Sequence, residues 1–137
     1  VANTYQLEIV TPERILLSEL VAETIAPGTE GYLGILAGHA PLMTTLEPGE
    51  LSVTFGDGRT SSRIVIGGGF MEVNPTKTTI LADSAERLDE IDVSRAELDL
   101  EDARKMLELA ALGSKEALAA RRANTLAETR IRLGRGR

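Results

Sequence analysis

The chain has 137 residues, 42% of them hydrophobic and 26% charged, with no cysteine, one histidine and a net charge of −6. That length serves one ordinary domain or two small lobes with a packed core, and the composition excludes a disulfide, a thiolate metal site, a thiol nucleophile and a histidine-rich metal centre. No run approaches the roughly 18 consecutive apolar residues of a membrane span and no charged-then-apolar leader opens the sequence, so any membrane link is expected through a partner.

From Tyr5 to about Ala82 the pattern is that of short strands. Tyr5-Gln6-Leu7-Glu8-Ile9-Val10 and Leu51-Ser52-Val53-Thr54-Phe55 alternate and carry β-branched residues, which predicts one buried face for each. Turn signals recur at Thr11-Pro12, Pro27-Gly28, Pro48-Gly49, Gly56-Asp57-Gly58 and Asn74-Pro75, and Asp57-Gly58 between two strand-like runs predicts a hairpin. Many short strands at this spacing argue for two packed sheets, about ten strands in all.

Within this region, Gly31 to Pro41 (GYLGILAGHAP) punctuates an apolar run with three glycines, a histidine and a proline. The backbone is expected to turn sharply there, at positive φ near Gly31, Gly34 or Gly38, and not to form a helix. His39 is the only side chain suited to acid–base work near neutral pH. No G-x-S-x-G context supplies a nucleophile for it, so a structural or interfacial role is the simpler reading. Gly67-Gly68-Gly69 follows Ile64-Val65-Ile66 and invites a phosphate-loop reading. It lacks the Lys-Ser/Thr ending and runs on into the strand-like Phe70-Met71-Glu72-Val73, so a bulge or tight bend is expected.

After Ala82 the period changes from two to 3.6. Val93, Ala96, Leu100, Ala103, Leu107 and Ala110 step by three and four, an apolar stripe along one helix face. Gly113-Ser114 supplies a stop and a new N-cap, and a second, alanine-rich helix follows with Ala119, Ala123, Leu126 and Leu133 on one side. The short link predicts an antiparallel hairpin. Charge is split across it: residues 89–114 hold eight acids and three bases, 115–137 two acids and seven bases. Alanine seams bury little area and exposed ion pairs contribute about 0–1 kcal/mol each, so the hairpin is expected to be marginal and able to exchange its contacts for a partner's. The fold class is therefore α+β: a β-sandwich over 1–86, then a two-helix hairpin over 87–137.

Ile91-Asp92-Val93-Ser94-Arg95-Ala96 opens the first helix. Asp92 reads as its N-cap with Arg95 solvated one turn along. The basic tail, Arg121-Arg122 and Arg130 to Arg137, could meet phosphates, yet the protein is acidic and has few aromatics for stacking, so no nucleic-acid partner is expected.

The stretch Gly31–Leu42, Gly67-Gly68-Gly69-Phe70 with Glu72-Val73, Leu81-Ala82-Asp83-Ser84-Ala85-Glu86 and the two helices, in this order, resemble the small rotor-stalk ε subunits of F-type ATP synthases of bacteria and chloroplasts. The mitochondrial δ subunit shares the architecture, although no transit peptide is visible. The resemblance implies a non-catalytic part that couples rotation of the c-ring to the γ subunit for ATP synthesis and restrains ATP hydrolysis through its C-terminal helices. Glu30, Gly31 and Tyr32 match the family's c-ring-facing loop, and His39 and Thr44 match positions facing γ. In the inhibitory state the partners are the α and β subunits, with Arg121, Arg122 and Arg130 as expected contacts. No cofactor is required, but regulatory ATP is a possible ligand: Ile91-Asp92-x-x-Arg95-Ala96, the upstream Glu86 and Arg122-Ala123 resemble the nucleotide motif of some bacterial members, with Leu126 standing where a second arginine belongs. The expected location is peripheral, on the cytoplasmic face of a bacterial plasma membrane, the thylakoid stromal face being second. A stand-alone enzyme centred on His39, or a regulatory nucleotide- or nucleic-acid-binding protein using the basic helix, remain as alternatives.

Overall fold

A computed structural model describes residues 3–57 and 61–136. The chain divides into two compact units, 1–86 and 87–137.

The first unit is built from β1 (Tyr5–Val10), β2 (Ile15–Gly28), β3 (Gly31–Leu36), β4 (Leu42–Phe55), β5 (Ser62–Asn74), β6 (Lys77–Ala82) and the short β7 (Ala85–Arg87). Seven strands thus stand, among the described residues, where about ten were expected. The difference lies in β2, β4 and β5, each of 13 or 14 residues. In β4 the turn signal Pro48-Gly49 lies inside a strand that passes through it, and in β5 the strand continues through the bend at Gly67-Gly68-Gly69. Strand order is β1-β6-β5-β4-β2-β3, and β1 also pairs with β2. That extra pairing joins the two layers of the sandwich into a closed ring, which removes most free edges. The β4–β5 hairpin expected at Asp57-Gly58 forms, pairing from Leu42↔Val73 to Val53↔Ser62, while Gly58 itself lies outside the described residues.

Alternation places Tyr5, Leu7 and Ile9 of β1 in the core, with Leu51 and Val53 of β4, Ile64 and Ile66 of β5 and Ile80 of β6. On the long hairpin the inward parity changes: Leu51 and Val53 give way to Leu46 on β4, and Ile64 and Ile66 to Met71 and Val73 on β5. The change falls at Pro48-Gly49 and Gly67-Gly68-Gly69. Gly69 has φ +146° and a Cβ there would lie 2.2 Å from the Leu81 carbonyl oxygen, so only glycine lets β6 approach. The triple glycine is a bend within a strand, as its sequence context suggests.

In the second unit a single 3-10 turn (Leu88–Glu90) precedes α1 (Val93–Leu109) and α2 (Lys115–Arg135). Asp92 caps α1 by accepting from the Arg95 N–H at 3.0 Å, and Ser114 caps α2 by accepting from the Ala117 N–H at 3.1 Å. Gly113, at φ +78°, makes the reversal between them. The α1 stripe from Val93 to Ala110 is buried or half-buried throughout. On α2 the buried face is Ala117, Ala120, Ala127, Thr129, Leu133 and Gly134. Ala119 and Ala123, expected inside, are exposed. Alanine suits either face, and the half-buried Asn124 interrupts the true stripe with a polar residue.

Candidate functional site

Two surfaces gather the residues that the sequence singled out. The first surrounds the β2–β3 reversal. Gly28↔Gly31 is the last pair of that hairpin, with Thr29-Glu30 at its tip. Gly31 takes φ +123° with nothing within 4 Å of a would-be Cβ, so glycine is required there by the turn and not by crowding. Gly38 also has positive φ, whereas Gly34 lies inside β3, so the motif holds a strand between two turns. Thr29, Glu30, Leu33, Met43, Thr44 and Thr45 line an open groove of about 470 Å³. The Thr29 and Thr45 hydroxyls, 2.5 Å apart, tie its walls. Glu30 and Thr44, assigned to different partners from sequence, therefore share one groove. Tyr32, 61% exposed, points to the other face of β3, where its hydroxyl stands over Gly49. His39 is half-exposed on the β3–β4 connection, and its Nδ1 donates to the Ala40 carbonyl at 2.6 Å. A carbonyl can only accept, so the Nδ1 of His39 carries a proton in this contact.

The second surface is on the hairpin. Asp99 accepts from Arg95 Nε at 3.1 Å and from Arg130 at 3.3 Å, and Arg135 pairs with Glu97 at 2.6 Å. The acidic first helix thus holds the basic second one through cross-helix pairs that include Asp99–Arg130 and Glu97–Arg135. The Asp99–Arg130 pair borders a cleft of about 240 Å³ lined also by Asp102, Met106 and Leu126, whereas the Glu97–Arg135 pair borders a separate one with Leu100, Arg104 and Ile131. Asp99 was missed in the sequence, although its i,i+4 spacing from Arg95 marks it as that residue's partner.

Of the expected nucleotide set, Ile91, Asp92 and Arg95 lie together at the start of α1, and Arg122 stands apart from them. Ile91 is buried and packs toward Gly134, near the C-terminal end of α2. Arg122 lies twelve residues earlier on that helix, about 18 Å away at 1.5 Å per residue. Asp92 is engaged as a helix cap. Glu86 closes the first unit. Of the expected inhibitory contacts, Arg121 is exposed, while Arg122 and Arg130 are half-buried. Arg130 stands roughly 12 Å beyond Arg122 along the helix. Arg137 of the basic tail lies outside the described residues. Among the described residues no group of three or more His, Cys, Asp or Glu could hold a metal ion, and no helix is long and apolar enough to cross a membrane.

Residues 4–88 match the family described as the β-sandwich domain of the ATP synthase delta/epsilon chain. The chain is 50% identical to the ATP synthase epsilon chains of Brucella canis and Brucella abortus over 107 residues, 78% of each chain. It belongs to the ATP synthase epsilon chain family. Like other epsilon chains it is a non-catalytic subunit serving ATP synthesis and proton transport. A chain from the Euglena gracilis mitochondrial ATP synthase, solved as OSCP, F1 and c-ring, superposes with a TM-score of 0.77 at 29% identity, covering 94% of this epsilon chain and 80% of its own length. One from the Tetrahymena thermophila central stalk and c-ring reaches 0.63 at 16% identity, covering 98% and 96%, which is a likeness of fold alone.

Proposed function

We propose that this epsilon subunit is part of the central stalk, with its barrel between γ and the c-ring and its hairpin restraining ATP hydrolysis. The observation that carries the reading is the β2–β3 reversal. Glycine-bounded, exposed and flanked by a groove that includes both Glu30 and Thr44, it lets a partner's backbone approach closely. Glu30, Gly31 and Tyr32 would meet the ring, and His39 and Thr44 would face γ. An assembly of this kind makes the subunit peripheral, at the cytoplasmic face of a bacterial membrane.

The hairpin reading rests on the charge division. Arg130 and Arg135 are held by Asp99 and Glu97, and an acidic surface on the catalytic subunits could take over those cations; the exposed Arg135–Glu97 pair, worth about 0–1 kcal/mol, would yield more readily than the half-buried Arg130–Asp99 pair. Arg121, Arg122 and Arg130 would supply the inhibitory contacts. Regulatory ATP is not part of this proposal, because Arg122 and Asp92 lie at opposite ends of the hairpin. The test is the rate of ATP hydrolysis by the assembled complex with Arg121, Arg122 and Arg130 replaced by alanine. Release of inhibition is expected, and an unchanged rate would remove the hairpin from the reading.

A further inference from the structure

Tyr5 occupies an unusual place in the barrel. Its side chain is 2% exposed, and its hydroxyl lies 2.6 Å from Thr24 Oγ1 and 3.0 Å from the Ile35 carbonyl oxygen. The phenol has one proton and the carbonyl can only accept, so Tyr5 donates to Ile35 and the Thr24 hydroxyl donates to Tyr5. One side chain of β1 thereby ties β2 to β3. Burial pushes the Tyr5 pKa up to about 12, so the phenol keeps that proton throughout the physiological range.

The register gives this contact its meaning. Along one edge β2 pairs first with β1, ending at Tyr5↔Val21, and then with β3, beginning at Glu23↔Leu36. Tyr5 stands where the edge passes from one strand to the other. β1 is held on both sides, by β2 and β6, whereas β3 pairs only with β2 among the described residues. An end strand of six residues with one neighbour is the part of a sheet most able to pivot. The Tyr5 hydroxyl supplies β3 with a second attachment, in the place of a missing strand.

We infer that Tyr5 is a positioning residue for the partner-binding turn: its hydroxyl clamps β3 at Ile35 and so sets the attitude of Gly31 and Tyr32. Ile35 lies four residues from Gly31, about 13 Å along an extended strand, so a small rotation at the clamp becomes a displacement of ångströms at the turn. The inference rests on the reading that this turn meets the c-ring.

Tyr5→Phe is nearly isosteric and removes only the hydroxyl. In the full chain, amide hydrogen exchange is expected to speed up about fivefold to tenfold at the β3 amides paired with β2, with less than about a twofold change at Ile64 and Ile66. Ile80→Val, a core change on β6 where Ile80 pairs with Ile9 and Met71 and not with β3, is the control, and its effect should spread over the barrel without favouring β3. Unchanged β3 exchange in Tyr5→Phe, or a uniform rise like that of the control, would overturn the clamp. Binding of each variant to ATP synthase stripped of its epsilon subunit then tests the consequence. Weaker binding by Tyr5→Phe, with Ile80→Val close to wild type, is the supporting result. If Gly31→Val and Tyr32→Ala in the turn also leave binding intact, the reading of the turn fails. If they weaken it and Tyr5→Phe does not, the positioning role fails while that reading stands.

Discussion

Most inward positions in the barrel carry Leu, Ile, Val or Met, whereas the fully buried positions of the two helices are mostly alanine or glycine, with Thr129 and Leu133 the exceptions. On α1 the spacing 93, 96, 100, 103, 107, 110 puts Ala96, Ala103 and Ala110 at alternate inner places, and on α2 Ala117, Ala120, Ala127 and Gly134 do the same. Small residues let the helices approach closely, and a Cβ on Gly134 would come within 2.6 Å of Val93 Cγ2. At about 25 cal/mol per Å² of apolar area, a buried alanine contributes far less than the roughly 1.5–3 kcal/mol of a buried leucine. The two units are therefore secured by different means, the barrel by area and closure of its ring, the hairpin by tightness of fit and a few ion pairs.

The largest effect that probes this contrast is expected in the barrel. Leu51→Ala, at a fully buried position, should cost about 2–5 kcal/mol of the barrel's unfolding free energy, measured in urea by the exchange of β-strand amides. A cost below 1 kcal/mol would break the contrast from the barrel side. Next comes the titration of Tyr5. Its folded pKa of about 12 lies above the ordinary 10.0, so the unfolded state loses its proton first and stability falls as pH rises from about 10 to about 12. That fall amounts to about 2–3 kcal/mol, and Tyr5→Phe should flatten that part of the stability profile.

From the hairpin side, Ala103→Leu should overpack the seam and cost about 1–3 kcal/mol of helix stability by circular dichroism, leaving barrel amides unaffected. A stabilised hairpin would mean that area, and not fit, limits it. The smallest effect is Asp92→Ala, expected to fray α1 at a cost of about 1 kcal/mol through loss of the cap to the Arg95 N–H.

Much of this architecture was legible because periodicity changes from two to 3.6 after Ala82, where β6 ends. Val93, Ala96, Leu100, Ala103, Leu107 and Ala110 specified the face of α1 without help. The face of α2 was not legible, since alanines at 117, 119, 120 and 123 fit either side, and the choice is made by which of them meets α1. Fewer strands form than expected because Pro48-Gly49 reads as a turn, while in the fold it and the bend at Gly67-Gly68-Gly69 let β4 and β5 change their inward parity and continue. At the candidate site, the residues around Gly31 were found from their turn chemistry. Tyr5 was read only as one of an alternating set, because a contact spanning 30 residues leaves no local signature. Arg122 was chosen on its neighbour Ala123, and antiparallel packing places it at the far end from Asp92.

The parallel pairing of β1 with β6 bears on the order of events during synthesis. Gln6 pairs with Lys77, so the first strand cannot find its second neighbour until about 70 further residues have been made. At about 5–20 residues per second that wait is about 4–14 s, during which β1 can settle only against β2. Ring closure is the slow, long-range step. It waits on β6, which is made only shortly before β7 and the helical segment, so the ring closes late in synthesis.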